Sequence, residues 1–266
     1  MRFAVFLLAL LFSTAALSAP LVVLDPGHEP SRPGAVGVCG KEEVIYNDEL
    51  AAEVASALQE GPFRVLLTRG AAAEVAVSAD GDTFLVPEHR ANWQENQRLY
   101  ERASIANRFG AAVLLSLHHD STGAEYQEKA AGACSGKDGK RLKREFSKQG
   151  FRTGFSIFIY QGEDKARAEA SLAIAQAIGA AFRAAGREPS NYHVESKDCA
   201  SCRLLDGVNG VYHKNLAILR ASNVPAVLVE AGVIVDQADE KVINRGSFRR
   251  GAAKAIREAL EQRLAR

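Results

Sequence analysis

The stretch LVVLDPGH, residues 21–28, joins a run of aliphatic residues to a turn that ends in a histidine. An apolar run of this length, bounded by proline and glycine, is typical of a strand that is buried on both faces of a sheet. Four further short runs of aliphatic or β-branched residues follow along the chain. The predicted strands are Leu21–Leu24, Val65–Thr68, Ala112–Leu117, Phe155–Tyr160 and Ala226–Glu230.

Longer stretches with helical spacing lie between these strands. Asn47–Gln59 shows the pattern, since Leu50, Val54 and Leu58 fall on one face of a helix. The other predicted helices are His89–Phe109, Lys165–Ala185 and Phe248–Leu264. Strands that alternate with helices predict an α/β fold, a single domain whose twisted, largely parallel sheet carries helices on both faces.

Two segments fit this alternation poorly and are predicted to be insertions, near residues 71–87 and 121–152. A third irregular piece, Ser190–Gly210, carries two of the four cysteines. No linker rich in proline, serine or glycine divides the chain after its N-terminal segment. We therefore predict one domain over residues 20–266.

The N-terminus has the composition of a secretory signal peptide. Residues 1–19 begin with a basic residue, continue through an apolar run shorter than the roughly 20 residues of a membrane span, and end in small residues. We expect an exported protein, periplasmic or secreted, without a stable membrane anchor. A buried N-terminal strand and a retained anchor are the alternatives. The formal net charge of +1 gives no electrostatic reason to expect nucleic acid as a partner.

The four cysteines are Cys39, Cys134, Cys199 and Cys202. An even number in an exported chain permits two disulfides, and four cysteines allow three pairings. We predict a bond between Cys199 and Cys202, or a pair that involves Cys39 and Cys134. The alternatives are free thiols and, for the Cys-x-x-Cys pair, half of a metal-binding knuckle that has no second such pair in the sequence.

Polar residues stand at the C-terminal ends of predicted strands, where ligands gather in an open parallel sheet. His28 and His118 occupy two of these ends, and Glu43 follows a turn-rich loop just before the first helix. Two imidazoles and a carboxylate suit a catalytic zinc site, which uses three protein ligands and keeps a fourth position for water. Glu42 is the alternative carboxylate, because either glutamate would also suit the start of the helix. Glu230 ends the last buried run, where a charge needs a partner or a function.

These residues lie in blocks that resemble the zinc-dependent N-acetylmuramoyl-L-alanine amidases, the amidase 3 family. The blocks keep the family's order and span nearly the whole chain after its N-terminal segment. They are Leu24–His28, Pro33–Ala35, Glu43–Asn47, Thr68–Arg69, Arg102–Asn107, Ser116–Asp120, Gly154–Phe158 and Val224–Gly232. The resemblance implies a twisted sheet flanked by helices, in agreement with the fold predicted from periodicity.

Carried over position by position, the resemblance places the zinc ligands at His28, Glu43 and His118 and the catalytic glutamate at Glu230. It implies hydrolysis of the amide between N-acetylmuramic acid and L-alanine in peptidoglycan, with Zn²⁺ as cofactor. Another zinc peptidase acting on stem peptides, or a non-catalytic wall-binding or regulatory domain, is the alternative. No wall-binding repeat is recognised, so we expect targeting to come from this domain or from a separate activator protein.

Several positions depart from the family pattern. Glu29 stands where the family usually has glycine, and His119 where it has a small residue. Val233 and Asp236 stand where phenylalanine and asparagine are usual. We expect His119 either to support the site or to be an ordinary buried histidine. Asp120 is expected to fix the adjoining loop rather than to bind the metal.

The insertion Ser121–Arg152 begins close behind His118 and is too long for a plain connection. Long loops are commonly lids or binding loops. We expect this one to gate the site, with Glu125, Glu128 or Glu145 available to occupy the open zinc position. The alternatives are a substrate-binding loop and a solvated surface excursion.

Overall fold

The computed structural model describes residues 19–69, 76–77, 83–84, 95–122, 127–129, 145–147, 153–195, 199 and 201–264. Its strands are β1 (Leu21–Pro26), β2 (Arg64–Leu67), β3 (Ala76–Val77), β4 (Thr83–Phe84), β5 (Val113–Asp120), β6 (Gln127–Lys129), β7 (Glu145–Ser147), β8 (Ser156–Ile159), β9 (Arg203–Asp206), β10 (Val211–His213) and β11 (Ala226–Val233). Its helices are α1 (Glu43–Gln59), α2 (Glu95–Arg108), α3 (Lys165–Ala184), α4 (Tyr192–Glu195), α5 (Ala217–Arg220), α6 (Gln237–Ile243) and α7 (Gly246–Leu264).

Seven strands form one sheet in the order β2-β1-β5-β11-β8-β10-β9. β1 pairs in parallel with β2 and β5, and β5 pairs in parallel with β11. β8 runs antiparallel to β11 and parallel to β10, and β9 pairs antiparallel at the edge. The sheet is therefore mostly parallel, as predicted. The C-terminal ends of β1, β5 and β11 meet at one end of it.

Alternate residues of the central strands enter two separate hydrophobic cores. Leu115 and Leu117 of β5 pack on the face covered by α1, α3 and α7, whereas Leu114 packs on the face covered by α2 and α5. Burial of each leucine contributes about 1.5–3 kcal/mol, and a slip of one residue would exchange the two faces. The apolar residues therefore fix the register that directs His118 and His119, the next two residues, to opposite faces.

Helix α1 begins at Glu43, four residues before the predicted start at Asn47. The backbone N–H groups of Glu43 and Val44 donate to carbonyls of the preceding loop, at Ala35 and Pro33, over 2.8 and 3.0 Å. These bonds satisfy the first donors of the helix in place of a side-chain cap. The sequence contains no signal for a helix start that depends on backbone carbonyls of the preceding loop.

Strands β5 and β11 are longer than predicted. β5 continues beyond Leu117 to Asp120, and β11 continues beyond Glu230 to Val233. The pairing of the two strands is irregular between Glu230 and Val233. His118 and Glu230 therefore lie within paired strands rather than in loops beyond them.

Most of the N-terminal segment and of the two predicted insertions lies outside the described residues. The insertion 121–152 is described at its first two residues and in the short hairpin β6–β7. The side chains of its three glutamates are outside the described part, so the gating hypothesis stays a prediction. Within the described residues, no helix has both the length and the apolar character needed to cross a membrane.

Candidate metal centre

The loop that follows β1 holds His28 in a left-handed backbone conformation, with φ of 64°, at a cost of about 1–2 kcal/mol. Two buried arginines hold this loop in place. Arg69 donates to the carbonyls of Pro26 and Gly27 at 2.7 and 2.5 Å. Arg102 donates to the carbonyl of His28 at 2.7 Å. Three successive carbonyls are thus bound by guanidinium groups, which keeps the strained turn in one conformation.

The charges of both arginines are paired beneath the loop. Arg69 lies 2.5 Å from Asp48, and Arg102 lies 3.4 Å from Asp25. Asp25 is buried in β1 and also accepts a hydrogen bond of 2.7 Å from the hydroxyl of Ser116. Removing Arg102 would leave the buried carboxylate of Asp25 without its counter-charge, whereas Asp48, the partner of Arg69, is 45% exposed.

Glu43, the first residue of α1, lies between the two predicted histidine ligands. Its Oε2 is 3.1 Å from Nε2 of His28, and its Oε1 is 3.1 Å from Nδ1 of His118. Burial alone would raise the pKa of Glu43, but the hydrogen bonds and charges of His118 and His28 hold it well below its ordinary value. The ligand atoms of these three residues, here called the histidine–glutamate cluster, all lie within 4.8 Å of one another. Glu42, the alternative carboxylate, is exposed in front of the helix.

The donors of this cluster fit a zinc ion. Two ligand atoms about 2 Å from a tetrahedral ion stand roughly 3.3 Å apart, and each histidine nitrogen lies 3.1 Å from a different oxygen of Glu43. Two glycines make room for the ligands. A Cβ on Gly34 would approach Oε2 of Glu43 to 2.5 Å, and a Cβ on Gly27 would approach the ring of His118 to 2.2 Å. Side chains at these positions would therefore fill the space that the ligands occupy.

Asn47 connects the histidine–glutamate cluster to a second histidine. Its Nδ2 donates to Oε1 of Glu43 at 3.3 Å and to the carbonyl of Gly27 at 3.2 Å. The Oδ1 of Asn47 is left to accept from Nδ1 of His119 at 2.8 Å. Burial lowers the pKa of His119 to about 3, so its ring is neutral. His119 is thus a buried histidine that also fixes the amide of Asn47 beside the carboxylate of Glu43. Asn47 lies one helical turn after Glu43 and ends the block Glu43–Asn47 that resembles the family, but its hydrogen bonds to Glu43 and His119 were not predicted.

Glu230 of β11 is the parallel register partner of His118 in β5, so the two side chains leave the same face of the sheet. The residue is half-buried, and its Oε2 is buried without a hydrogen-bond partner in the described part of the chain. Burial raises the pKa of Glu230 well above its ordinary value, and the charges of Asp120 and Glu43 raise it further. The two glutamates of the site therefore have pKa values driven in opposite directions, a pattern that separates acid–base roles.

Asp120 fixes the chain beyond β5 and binds His193, a histidine outside the blocks that resemble the family. Its Oδ1 accepts from the backbone N–H of Ser121 at 2.8 Å. Its Oδ2 lies 2.6 Å from Nε2 of His193. No motif marks His193, because the contact joins positions 73 residues apart in the sequence.

Cys199 and Cys202 form a disulfide, as predicted. Cys39 is disulfide-bonded as well. Cys134, which the sequence analysis groups with Cys39, lies outside the described residues.

A cavity of about 120 Å³ opens beside the histidine–glutamate cluster. Its lining consists of His28, Glu29, Arg32, Arg98, Leu99, Arg102 and His118. Glu29, which replaces the family's usual glycine, forms an ion pair with Arg98 of α2. The departure at this position therefore adds a charged contact between the His28 loop and the helix that covers it.

The sequence matches the family model Amidase_3, described as N-acetylmuramoyl-L-alanine amidase, over residues 22–262. It is 24% identical over 248 residues to N-acetylmuramoyl-L-alanine amidase AmiA of Escherichia coli (strain K12). The aligned region covers 90% of this chain and 74% of that protein. It is 25% identical over 261 residues to the probable N-acetylmuramoyl-L-alanine amidase AmiB of Haemophilus influenzae. The aligned region covers 94% of this chain and 53% of that protein.

The fold is similar to the crystal structure of the N-acetylmuramyl-L-alanine amidase Ami1 from Mycobacterium smegmatis. The TM-score is 0.63 at 18% sequence identity, covering 93% of this chain and 98% of that chain. At that identity the likeness establishes a shared fold.

Proposed function

The chain belongs to the amidase 3 family of N-acetylmuramoyl-L-alanine amidases, and we propose that its hydrolysis of the peptidoglycan amide depends on a zinc ion held by His28, Glu43 and His118. In this proposal Glu230 is the catalytic acid–base residue. The bond cleaved joins N-acetylmuramic acid to the L-alanine of the stem peptide.

One observation carries the proposal above the others. Glu43 lies between His28 and His118, with 3.1 Å from each histidine nitrogen to the nearest carboxylate oxygen. The register partner of His118 is Glu230, whose buried Oε2 has no hydrogen-bond partner among the described residues. Leaving a buried carboxyl oxygen without a partner costs free energy. A proton or a polar ligand that arrives with the substrate would satisfy it.

The chemistry follows from these positions. A zinc ion held by His28, Glu43 and His118 would polarise a carbonyl oxygen and would lower the pKa of water to about 7. Glu230 accepts a proton from the attacking water and delivers it to the leaving nitrogen of L-alanine, which its raised pKa favours. The C–N bond breaks, and the products are a carboxylate on the muramic acid and a free amine on the peptide.

Export is the second part of the proposal. A peptidoglycan substrate lies outside the cytoplasmic membrane, and residues 1–19 have the composition of a signal peptide. We expect the zinc amidase domain to occupy residues 20–266 after cleavage. Sequencing the N-terminus of protein recovered from the periplasm or the medium tests this, and an intact Met1 on exported protein would contradict it.

The decisive experiment uses the purified mature chain and whole peptidoglycan, with and without a chelator, and identifies the products by mass. We expect bare glycan strands and peptides with a free N-terminal L-alanine, and loss of both products on chelation with recovery on added Zn²⁺. Shortened peptides still attached to glycan would favour the zinc peptidase. Metal-free protein without any products would favour the non-catalytic domain.

A further inference from the structure

A second group of metal-binding side chains lies near the end of β5, outside the site described above. One ring nitrogen of His193 and the sulfur atoms of Cys199 and Cys202 all lie within 4.8 Å of one another. We call these three residues the histidine–cysteine cluster. The amidase reaction makes no use of them.

The ring of His193 is oriented as metal-binding imidazoles commonly are. Its Nε2 is bound to the carboxylate of Asp120 at 2.6 Å, and the side chain is only 5% exposed. Its Nδ1 is buried and has no hydrogen-bond partner among the described residues. Asp120 therefore fixes the tautomer with the proton on Nε2 and leaves the lone pair of Nδ1 free, the arrangement in which a carboxylate supports a ligating histidine.

The surroundings hold this ring firmly. The rings of Phe158 and Tyr192 lie with their centroids 4.8 and 4.9 Å from that of His193, in edge-to-face contacts. A buried nitrogen in such an apolar enclosure cannot be satisfied by bulk water. One nitrogen of this ring lies within 4.8 Å of both sulfur atoms, and Nδ1 is the ring nitrogen without a hydrogen bond among the described residues.

The two cysteines lie in a tight turn that matches a metal-binding knuckle. The backbone N–H of Cys202 donates to the carbonyl of Cys199 at 2.8 Å, and the two Cα atoms are 5.1 Å apart. Cys-x-x-Cys is the spacing that places two thiolates on one metal ion. Cys202 is half-buried rather than enclosed, so a reductant can reach the disulfide.

We propose that reduction of the Cys199–Cys202 disulfide creates a second metal site, in which two thiolates and Nδ1 of His193 bind Zn²⁺ or another thiophilic divalent cation. A dithiol reductant supplies two electrons and two protons to the disulfide and is itself oxidised to a disulfide. The metal ion then replaces the two thiol protons. The sulfur atoms separate to roughly 3.7 Å, the spacing of two thiolates on a tetrahedral ion, and a water completes the coordination.

The donor set separates this site from the histidine–glutamate cluster. Thiolates select zinc and softer ions and give Co²⁺ a thiolate-to-metal charge-transfer absorption, which imidazole and carboxylate ligands do not. This absorption reports the second site without any measurement of amidase activity.

The experiment uses the mature chain and a Cys39→Ser, Cys134→Ser variant, in which reduction can act only on Cys199 and Cys202. Each protein is reduced with an immobilised phosphine, which is removed before metal is added under anaerobic conditions. The oxidised and reduced forms are titrated with Co²⁺, and bound metal is counted by native mass spectrometry. We expect one equivalent in the oxidised form, and two equivalents with charge-transfer absorption in the reduced form.

Variants of each cluster make the assignment. Cys199→Ser, Cys202→Ser should bind one equivalent in both redox states, without the absorption. His193→Asn should keep the absorption and weaken the second equivalent by at least about tenfold. Glu43→Gln should lose the first equivalent and keep the absorption, whatever happens to catalysis. No absorption in the reduced wild-type chain, or absorption that persists after both serine substitutions, would overturn the proposal.

Discussion

The histidine–glutamate cluster and the histidine–cysteine cluster both attach to the end of β5, yet the chain builds them in opposite ways. The first joins residues 28, 43 and 118, which come from the β1 loop, the start of α1 and β5. The second draws its three residues from positions 193 to 202 and, among the described residues, is joined to β5 by the hydrogen bond between His193 and Asp120. One cluster exists only when the sheet is assembled, and the other is largely local.

This difference determines which conditions can alter each cluster. The donors of the first are nitrogen and oxygen, so the redox state of the surroundings leaves them unchanged. The donors of the second include two sulfur atoms that switch between a disulfide and two ligands. The first cluster therefore depends on tertiary structure, whereas the second depends on the chemistry of its compartment. The substitutions below separate the two dependences.

The largest effect is expected from His118→Ala. Only two donors remain at the first cluster, so bound metal should be lost and peptidoglycan hydrolysis should fall by more than about 100-fold. The second cluster keeps all of its ligands. Metal content and product release measure the outcome. His213→Ala is the control, because His213 belongs to neither cluster and its Nδ1 accepts a hydrogen bond from the backbone N–H of Gln161. Full metal content in His118→Ala would remove this histidine from the ligand set.

Glu230→Gln should come next. We expect the turnover number to fall by about 10²–10⁴-fold because the proton acceptor is gone, with unchanged metal content. The matched control is Glu258→Gln on α7, whose side chain is 45% exposed and lies 3.3 Å from Lys254. Equal losses of metal and activity would instead make Glu230 part of the metal site.

Arg102→Lys should produce a smaller change. A lysine cannot bind the carbonyl of His28 and also reach Asp25 with a planar fork, so the loop holds His28 less firmly. We expect about tenfold weaker metal binding at the first cluster, measured by competition with a chelating dye. Arg108→Lys, exposed at the end of the same helix, is the control. Unaltered affinity in Arg102→Lys would show that the turn holds its conformation by itself.

The smallest effect is expected from Asp164→Ala. Asp164 caps α3, accepting from the backbone N–H of Arg167 at 3.0 Å, far along the chain from both clusters. Its loss should lower the free energy of unfolding by about 1 kcal/mol and leave both metal equivalents intact. Denaturant unfolding measures the change in stability, and Co²⁺ titration measures the bound metal. Glu163→Ala, at the neighbouring position, is the control. Loss of either metal site would mean that stability and metal binding are not separable in this chain.

The fold was predictable because apolar runs dominate the central strands. Leu21–Leu24 and Ala226–Glu230 read as strands from composition alone, and they form the centre of the sheet beside β5. The start of α1 was not predictable, since carbonyls of a preceding loop replace the usual side-chain cap. The extension of β5 to Asp120 was also missed, because polar residues at the end of a strand resemble a loop.

The candidate site divides in the same way. His28, Glu43 and His118 could be predicted to share a site because their residue types stand at strand and helix ends, and the structure brings the three side chains together. The roles of Arg102, Asn47 and His193 were not assigned, because each depends on a partner that only tertiary structure brings near. Arg102, for example, binds the backbone carbonyl of His28. Because every residue has such a carbonyl, the sequence does not show which one an arginine will bind.

The backbone of His28 shows a trade-off between stability and activity. A left-handed residue favours glycine, so His28→Gly would relieve about 1 kcal/mol of backbone strain. Selection for stability alone would drive this position away from histidine. The imidazole is retained at a conformational cost that the guanidinium groups of Arg69 and Arg102 offset. A stabilising design that replaces His28 would therefore give a more stable protein that lacks one of the three proposed zinc ligands.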